Sequence, residues 1–512
     1  MRRNRSIAIL ILTLMASLLA YLADRGMPET RVRREVEILF QEECAACHGD
    51  RRQGGLGPAL IPQRLATRGD EELKQIILNG IPGTAMPVWL DVLTRENVEE
   101  LVRFIKEVPP SPEALRWGMM DIWGSFEVLI FDEELPEQPA YEIRSIEDLM
   151  VVTERDVGHL FFVDGHENRF LGRILDAGYK TNTIVYDPTD ERWLYLIARN
   201  GWVYKVDLYT LQPVRKVRVG IDSRGLAISA DGRYLMAGNY IPNSAVVLTA
   251  ETLEPLKLIR TFGVDPDGEA VESRVNYVAY TPAGRGRFVL VLEEAGQVWL
   301  VEPSANFPIV ATIEQVGRTL QGGLLTSAGR QLVVASQGDD RLVAIDLEAE
   351  QIVDRVLTGR HPYLNAEAIV RSDDRTLVFT PSIGSDYLTV WDLDTFEVVR
   401  RIEMGGPSLF VAAHPESPYV WADVALGPNN DRIQVIDKQS LEVVRTLRPG
   451  MRSVHPEFTA DGRHVYVSIW GEDRVVVYDA DTFEVIVEFT RVRTPTGIFS
   501  ARVRQISRLT GI

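Results

Sequence analysis

Most of the chain repeats one arrangement of polar and apolar positions. Each copy has a polar turn, an apolar β-rich stretch, a second polar break and a further apolar stretch that ends in an acidic residue. Complete copies begin at seven positions: Asp187, Ser229, Thr281, Thr326, Arg371, His414 and Thr459. Their start-to-start spacings are 42, 52, 45, 45, 43 and 45 residues. This period matches a four-stranded propeller blade.

The repeated region is flanked by two incomplete copies. One partial copy, VVTERDVGHLFFVDG, begins at Val151, and strand-like sequence follows Thr494. A blade built from both segments closes the ring and leaves no free strand edge. The pattern therefore predicts an all-β eight-bladed propeller over residues 146–512.

The hydrophobic period changes towards the N-terminus. Residues 31–43 show helical periodicity, and residues 94–107 form an amphipathic pattern with Thr94 at the N-cap. Residues 31–110 are therefore predicted to form a small all-α domain. Residues 111–145 are rich in proline and acidic side chains, which is typical of a linker, although WGMMDIWGSF could also pack on the propeller.

Both cysteines of the chain lie in the stretch EECAACHGD, residues 42–50. Cys44, Cys47 and His48 have the spacing of a c-type haem attachment site, where the thiols bond to the porphyrin and the histidine ligates iron. A redox dithiol would lie near a βαβ pattern, and none follows. A zinc site needs four ligands, and there is no second Cys-x-x-Cys. The residues predict one covalent haem c, with His48 on the iron.

Met86 is the predicted second ligand of this iron. It lies in the Gly/Pro-rich loop NGIPGTAMPVW and is followed at once by Pro87. Such a loop suits a thioether held beside iron, which raises the reduction potential. The alternative is a methionine that only packs in the loop. Helix, haem motif, methionine loop and closing helix are together typical of a class I cytochrome c domain.

The N-terminus predicts export. MRRNRS is basic, and residues 7–22 carry no charge. This length suits a signal peptide and is slightly short for a membrane span, and no clear cleavage site follows. Residues 1–30 are thus either a signal anchor in the cytoplasmic membrane or a cleaved signal peptide. Because bacterial c haem is attached outside that membrane, the remainder is predicted to be periplasmic. A net charge of −18 argues against a nucleic-acid partner.

The pairing of a cytochrome c with an eight-bladed propeller resembles the cytochrome cd1 family, whose propeller binds haem d1. Five motifs in order carry the resemblance along nearly the whole mature chain, since an ADGR turn alone occurs in many propellers. They are ERDVGHLFFVDG (154–165), SRGLAISADGRYLMAGNYIP (223–242), GGPSLFVAAHPESPYVWAD (405–423), RSVHPEFTADGRHVYVSIWGED (452–473) and TPTGIF (494–499).

The resemblance implies a d1-type tetrapyrrole, haem d1 or its dihydro precursor, in the propeller. Haem d1 carries several carboxylates, and guanidinium groups pair with carboxylates bidentately. The alternative for each arginine is a solvated strand end. The positions that match the family's binding residues are Arg155, Arg199, Arg224, Tyr240, Arg274 and Trp470.

Two departures from the family pattern bear on activity. Asn182 stands where the family's nitrite reductases have their proximal haem d1 ligand, and Gln321 replaces one of their two nitrite-protonating histidines, while VAYTPAGRGRF (278–288) contains no histidine for the other. Neither amide can deliver a proton near pH 7. His455, in SVHPEF, is the best iron-ligand candidate in the propeller; the alternative is a strand-entry histidine bonded to backbone. No catalytic residue is assigned from the sequence.

Three functions follow in order of preference. The first is an oxidoreductase of haem d1 assembly, which dehydrogenates a propeller-bound tetrapyrrole and passes electrons through the c haem. The second is a nitrite reductase (NO-forming) with altered haem d1 ligation. The third is a non-catalytic electron-transfer cytochrome whose propeller binds a protein. Expected partners are a soluble periplasmic electron-transfer protein and, through the resemblance, haem d1 assembly proteins or nitrite reductase; a homodimer is one candidate state, because dimers are common in the family.

Overall fold

A computed structural model describes residues 34–501 apart from positions 56, 67, 82–85, 327–328, 365–367 and 373–374. The chain divides into two compact units between Leu115 and Arg116. In the part of the chain that is described, no helix has both the length and the apolar character needed to cross a membrane. The predicted anchor or signal peptide at 1–30 lies outside the described residues.

The first unit is helical because its apolar positions recur at the helical period. A helix at 34–43 leads into the cysteine motif. The Thr94 hydroxyl accepts a hydrogen bond from Asn97 N at 3.1 Å, which caps the last long helix as expected. Rings of Phe40 and Phe104 meet edge to face at 5.9 Å in the core. The further helices are Ala45–His48, Pro62–Leu65, Asp70–Asn79 and Arg95–Glu107, with a 3-10 turn at Pro112–Leu115.

The second unit is an eight-bladed propeller, as predicted. Each blade is an antiparallel sheet, and we number the blades in chain order and give their strands from the centre outwards. Blade 1 contains Pro495–Ser500, Leu149–Glu154, His159–Asp164 and Arg169–Ile174; blade 2 contains Thr181–Tyr186, Trp193–Ala198, Trp202–Asp207 and Gln212–Arg218; blade 3 contains Asp222–Ile228, Tyr234–Ile241, Ser244–Thr249 and Pro255–Arg260; blade 4 contains Val275–Thr281, Arg287–Leu292, Gln297–Val301 and Ile309–Ile313.

The remaining four blades follow the same plan. Blade 5 contains Leu320–Thr326, Gln331–Ser336, Arg341–Asp346 and Gln351–Leu357; blade 6 contains Ala368–Ser372, Arg375–Thr380, Tyr387–Asp392 and Val398–Glu403; blade 7 contains Val411–Ala413, Tyr419–Asp423, Ile433–Asp437 and Val443–Leu447; blade 8 contains Ser453–Phe458, His464–Ile469, Arg474–Asp479 and Val485–Thr490. A short hairpin, Phe262–Val264 with Ala270–Glu272, separates blades 3 and 4 and accounts for the 52-residue spacing there.

Burial falls from the second strand of a blade to the fourth. In blade 8 the strands His464–Ile469 and Arg474–Asp479 are almost entirely buried, whereas Val485–Thr490 is largely exposed. Middle strands are covered on both faces by neighbouring blades, so they are continuous apolar runs. Packing between blades therefore supplies the core of this unit.

The ring closes through the two incomplete copies, as the sequence predicts. Pro495–Ser500 pairs antiparallel with Leu149–Glu154, and Val151 lies opposite Phe499. The closing strand is thus the innermost strand of blade 1. Closure in this way leaves no unpaired inner edge between the first and last copies.

The segment that we expected to be a linker packs on the propeller from Trp117 onwards. Ile122, in the helix Met119–Gly124, is fully buried against side chains of blades 2 and 3. Trp117 Nε1 donates to Arg218 O at 2.9 Å, and Glu127–Val128 adds a fifth strand to the outer edge of blade 2. The alternative noted for WGMMDIWGSF therefore describes the observed arrangement.

Candidate haem sites

The covalent haem motif is held by the first helical unit. His48 is buried, and its Nδ1 lies 2.8 Å from the carbonyl oxygen of Pro58. This contact fixes Nδ1 as the protonated ring nitrogen and leaves Nε2 with its lone pair, as an iron ligand requires. Burial lowers the pKa of His48, which also favours the neutral ring. A Cβ at Gly57 would lie 2.6 Å from ring atom Cε1 of His48, so the imidazole lies close to the backbone at this glycine.

The two cysteines lie one helical turn apart beside this histidine. Both thiols are free of disulfide bonds, and Cys47 N and His48 N both donate to the carbonyl of Cys44. Burial raises the pKa of the Cys44 thiol to about 11, so the fold alone does not generate a thiolate there. Among the described residues, no group of three or more His, Cys, Asp or Glu is arranged to hold a metal ion. Cys44, Cys47 and His48 fit a covalent c haem.

Met86 remains the predicted second ligand of this iron. Its carbonyl oxygen accepts a hydrogen bond from Ile81 N at 3.3 Å, which closes the loop between two helices. A Cβ on Gly80, which has φ +64°, would meet Met86 O at 2.7 Å. The loop backbone is therefore held tightly on both sides of residues 82–85, which lie outside the described residues.

The propeller residues predicted to bind a tetrapyrrole share one structural position. In an antiparallel blade, the start of the innermost strand and the end of the second strand lie at the same end of the sheet. Each predicted residue lies at one of these positions, so the structure brings them to one end of the propeller, which we call the rim. They are Arg155, Arg199, Tyr240 and Trp470 at second-strand ends, and Arg224, Arg274 and His455 at innermost-strand starts.

Three of these arginines form a cationic cluster, which we call the arginine sector. Arg155, Arg199 and Arg224 come from blades 1, 2 and 3 and are half-buried. Burial, with repulsion from the other two, lowers the pKa of Arg199 to about 9. Burial also lowers the pKa of Arg155. Buried like charges are costly unless counter-charges neutralise them, so the sector suits an anionic ligand.

Asn182 connects the arginine sector across two blades. Its Oδ1 accepts from Arg199 Nε at 3.1 Å, and its Nδ2 donates to Arg224 O at 2.9 Å. Arg224 in turn is ion-paired with Asp222. Both ends of the Asn182 amide are therefore used within the protein, and this residue positions Arg199 instead of supplying an iron ligand.

Arg274 differs from the other three arginines. Its Nη2 lies 2.7 Å from Glu293 Oε1, and its Nε is hydrogen-bonded to Glu294. This guanidinium thus faces two carboxylates within blade 4. A direct role for Arg274 in ligand binding stays a prediction.

A hydrogen-bonded group lies beside Arg274, and we call it the amide sector: Tyr240, Asn276, Glu293 and Gln321. Asn276 Nδ2 lies 2.5 Å from the Tyr240 hydroxyl, 2.9 Å from Gln321 Oε1 and 3.0 Å from Glu293 Oε2. Asn276 and Glu293 are not among the residues predicted from the sequence. Their positions at an innermost-strand start and after a second strand are the same as those of the predicted residues, and that positional rule would have found them.

His455 is held on several sides. Its ring stacks on Phe410 with centroids 4.1 Å apart, and Nδ1 lies 3.2 Å from Thr496 O. The backbone has φ +53° immediately before Pro456, a conformation that is unfavourable for such a residue. Burial lowers the pKa of His455 to about 4, so the ring is neutral at physiological pH. Nδ1 also lies 3.4 Å from Ile498 N. Both of these backbone contacts are made by Nδ1, and the role of His455 as an iron ligand through Nε2 stays a prediction.

Trp470 offers an aromatic face to two cations. Its ring centroid is 5.6 Å from the Arg155 guanidinium and 5.3 Å from that of Arg452. The indole therefore links blade 8 to the arginine sector. With His455 it places flat rings on the side of the rim next to the guanidinium groups, and this combination fits a planar, carboxylate-bearing macrocycle.

These features define a class of protein, namely a c-type cytochrome with a tetrapyrrole-binding propeller. The Cytochrome D1 heme domain model matches residues 144–503, and the model for the cbb3-type cytochrome c oxidase subunit III matches residues 32–105. The chain belongs to the cytochrome d1 family.

Similarity to individual proteins extends over most of the chain. Dihydro-heme d1 dehydrogenase of Pseudomonas aeruginosa is 32% identical over 88% of this chain and 90% of that protein. Nitrite reductase of Stutzerimonas stutzeri is 26% identical over 96% of each chain. The solved structure of dihydro-heme d1 dehydrogenase NirN in complex with DHE aligns with a TM-score of 0.82 and 32% identity, covering 91% of this chain and 99% of that chain.

Proposed function

We propose that this protein is a dihydro-haem d1 dehydrogenase: it binds a d1-type tetrapyrrole at the propeller rim, removes two hydrogens from it and passes the electrons to its c haem. The arginine sector is the observation that carries the proposal. Burial and repulsion from neighbouring guanidiniums lower the pKa of Arg199 and Arg155 although Asp222 is ion-paired with Arg224. A multiply carboxylated tetrapyrrole would supply anionic groups that favour the charged form of these arginines. Similarity to a dihydro-heme d1 dehydrogenase supports the same conclusion.

The geometry favours dehydrogenation over nitrite reduction. The Asn182 amide is committed to Arg199 and Arg224, and Gln321 accepts from Asn276. Neither side chain can ligate iron in this arrangement or protonate nitrite near neutral pH. A dehydrogenation requires groups that accept protons, so the presence of Asn182 and Gln321 in place of histidines does not prevent it.

The electron balance defines the partner that the reaction needs. Removal of two hydrogens releases two electrons and two protons. A single c haem carries one electron at a time, so turnover requires reoxidation between two transfers. We propose a soluble periplasmic electron-transfer protein as acceptor, with nitrite reductase or haem d1 assembly proteins as recipients of the product. His48 and Met86 would hold the c haem iron, and His455 the iron of the tetrapyrrole.

The experiment is a titration of the purified chain, with its c haem attached and oxidised, with the dihydro precursor and separately with haem d1. The dihydro precursor should bind and reduce the c haem, whereas haem d1 should bind without reducing it. Binding of neither compound would contradict the proposal. Rapid nitrite turnover to NO by the haem d1 complex would favour the nitrite reductase.

A variant tests the iron ligand separately. His455→Ala should change the optical and electron paramagnetic resonance spectra of the bound tetrapyrrole and leave those of the c haem unchanged. The reason is that the substitution removes a ligand from the tetrapyrrole iron but none from the c haem iron. His166→Ala, at a histidine whose Nδ1 accepts a hydrogen bond from Arg463 at 2.8 Å, is the matched control. Identical spectra for His455→Ala and wild type would remove His455 from the ligand set.

A further inference from the structure

The innermost strands of blades 2, 4 and 8 each contain one extra residue near the rim. In blade 2 the residues on both sides of Asn182 pair with consecutive residues of the second strand, and in blade 4 the same holds for Asn276. In blade 8 two residues, His455 and Pro456, lie opposite a single residue of the second strand. Such β-bulges redirect a side chain, and they are common beside functional sites. Asn182, Asn276 and His455 therefore occupy the same kind of position in three blades.

The three bulges differ in the group that joins each of them to the neighbouring blade. Asn182 uses its side chain, which donates to a backbone carbonyl of blade 3 at 2.9 Å. Asn276 also uses its side chain, which accepts from a backbone N–H of blade 5 at 2.7 Å. At His455 the backbone makes the join, because His455 N donates to Asp423 Oδ2 of blade 7 at 3.2 Å. The imidazole is thus spared, and its hydrogen-bonding contacts within the described part of the chain are made by Nδ1 and not by Nε2.

Asp423 makes this join from a fully buried position at the end of the second strand of blade 7. Its Oδ1 accepts from Ser408 Oγ at 3.1 Å, Leu409 N at 2.8 Å and Phe410 N at 3.1 Å. With His455 N on Oδ2, all four donors are neutral groups. Burying a carboxylate is costly, and an apolar side chain would fill the same space at lower cost. The carboxylate is therefore explained by what it holds in place.

The two oxygens of Asp423 hold the two members of one ring stack. Oδ1 accepts from Phe410 N, and Phe410 O in turn accepts from Asp423 N at 3.1 Å. Oδ2 accepts from His455 N. The rings of Phe410 and His455 stack with centroids 4.1 Å apart and planes 12° from parallel. One side chain thus fixes both rings relative to each other across blades 7 and 8.

The backbone of His455 requires such a support. Its φ of +53° immediately before Pro456 is unfavourable. Conformations of this kind persist only where several contacts impose them, and a bulged residue lacks the regular hydrogen bonds of the sheet. The bond from His455 N to Asp423 and the contact of the ring with Thr496 O supply the missing constraints from both sides.

We propose that Asp423 is a positioning residue of the propeller site: it holds His455 against Phe410, so that the imidazole meets the bound tetrapyrrole in a single orientation. This inference rests on the proposed function, in which His455 holds the tetrapyrrole iron. Because Asp423 is fully buried, it acts through His455 and not through contact with the ligand.

The first test needs no tetrapyrrole. The chain has seven histidines, so isotope labelling of the imidazole rings in the full chain, with the c haem reduced, gives few nuclear magnetic resonance signals. The signal of His455 is the one that His455→Ala removes. Stacking on Phe410 should shift this signal upfield, and Phe410→Leu should abolish the shift.

Asp423→Asn tests the join itself. The three donors on Oδ1 keep the amide oxygen on their side, so the NH₂ group faces His455 N, where no hydrogen bond can form. The upfield shift of the His455 signal should therefore decrease. An unchanged signal in Asp423→Asn would overturn the proposal.

The matched control is Asp431→Asn in the same blade. Asp431 is ion-paired with Arg448 at 2.7 Å, and this substitution should leave the His455 signal where it is in wild type. Equal changes in Asp431→Asn and Asp423→Asn would mean that blade 7 had loosened as a whole, which also contradicts the proposal.

The second test is a double-mutant cycle on binding of the dihydro precursor. Loss of a hydrogen bond to a charged group should leave His455 in the held orientation about a tenth of the time, so Asp423→Asn should weaken binding about tenfold. In a His455→Ala background the same substitution should change the affinity by less than about twofold. The electron paramagnetic resonance spectrum of the bound tetrapyrrole should show two species in Asp423→Asn and one in wild type. An equal loss of affinity in both backgrounds would make Asp423 a general structural residue and would refute the positioning role.

The two tests separate failure of this inference from failure of the proposed function. If wild type binds the dihydro precursor and reduces its c haem, but the His455 signal does not respond to Asp423→Asn, the positioning role alone is wrong. If the signal responds but wild type binds neither the dihydro precursor nor haem d1, the proposed function is wrong and the positioning role is lost with it.

Discussion

The arginine sector and the amide sector occupy equivalent strand positions on neighbouring blades, yet their electrostatics are opposite. In the arginine sector, burial and repulsion from neighbouring guanidiniums disfavour the charged forms of Arg199 and Arg155, and an incoming anion would offset both effects. Beside the amide sector, the guanidinium of Arg274 already faces the two carboxylates of Glu293 and Glu294. The first sector is therefore suited to binding an anionic ligand, and the second to holding its own side chains in place through hydrogen bonds.

The largest effect should come from Arg199, the most strongly perturbed member of the arginine sector. Arg199→Met should weaken tetrapyrrole binding by about 100-fold, because it removes one partner of a buried charge pair. The same change should raise the melting temperature of the tetrapyrrole-free protein, since the repulsion is relieved. Optical titration and thermal unfolding measure the two quantities.

The diagnostic result for Arg199→Met is a lower affinity for the tetrapyrrole together with a higher melting temperature of the tetrapyrrole-free protein. Arg330→Met is the control, because Arg330 is 58% exposed and pairs with Asp346; it should alter neither affinity nor melting temperature appreciably. If Arg199→Met lowered both affinity and stability, the arginine would be a structural residue and the comparison between sectors would fail.

Asn182 should show the next largest effect. Asn182→Ala leaves Arg199 in place but removes the acceptor at 3.1 Å from its Nε. Loss of one hydrogen bond to a charged group costs about 1.5 kcal/mol or more, so affinity should fall about tenfold. Asn429→Ala, which deletes an amide bonded to Gly405 O, should leave affinity unchanged. Equal losses for both variants would show a general destabilisation.

Gln321 should matter less for binding. Gln321→Ala removes an acceptor of Asn276 but no charged contact, so the affinity should change about threefold or less, in keeping with a neutral hydrogen bond. A large loss of affinity here would place ligand carboxylates in the amide sector.

The smallest predicted effect is a pH dependence of stability. Burial lowers the pKa of Arg199 to about 9 in the folded protein, well below the pKa of the same group in the unfolded chain. Below about pH 9 Arg199 is protonated in both the folded and the unfolded protein, so the folded state bears the full cost of burying the cation. Above about pH 9 the folded protein releases the Arg199 proton before the unfolded chain does, and the free energy of unfolding rises. The stability advantage of Arg199→Met over wild type should therefore shrink as pH rises through about 9. A constant advantage would contradict the lowered pKa.

Much of the fold follows from the sequence because each blade carries its own signals. The 45-residue spacings, the polar turns and the acidic strand ends are local, and the partial copies at 151 and 494 indicate closure. The haem c motif is equally local. The packing of Trp117 and Ile122 on the propeller was harder to predict, because a proline-rich acidic segment has the composition of a linker whether or not its aromatic residues are buried.

The candidate site was predicted only in part. Arg155, Arg199 and Arg224 came from resemblance to a family, and their convergence follows from their common strand position. Asn276 and Glu293 were missed because their partners lie on other strands and in other blades, so no local pattern shows that an amide has three acceptors. Asn182 looked like a lost ligand, and only its contacts reveal that it orients Arg199.

Ring closure has a consequence for how the protein is made. Thr153 and Thr496, which face each other where the ring closes, are separated by 343 residues in the sequence. Such a contact carries a large loop-closure cost and forms slowly. The chain is synthesised from its N-terminus, so the cytochrome unit can mature while blade 1 still lacks its innermost strand. Arg155 N donates to Thr494 O, and His455 contacts Thr496 O. The rim therefore depends on the closing strand and is among the last parts to be assembled. A nascent or truncated chain thus has no complete pocket in which to bind a reactive tetrapyrrole prematurely.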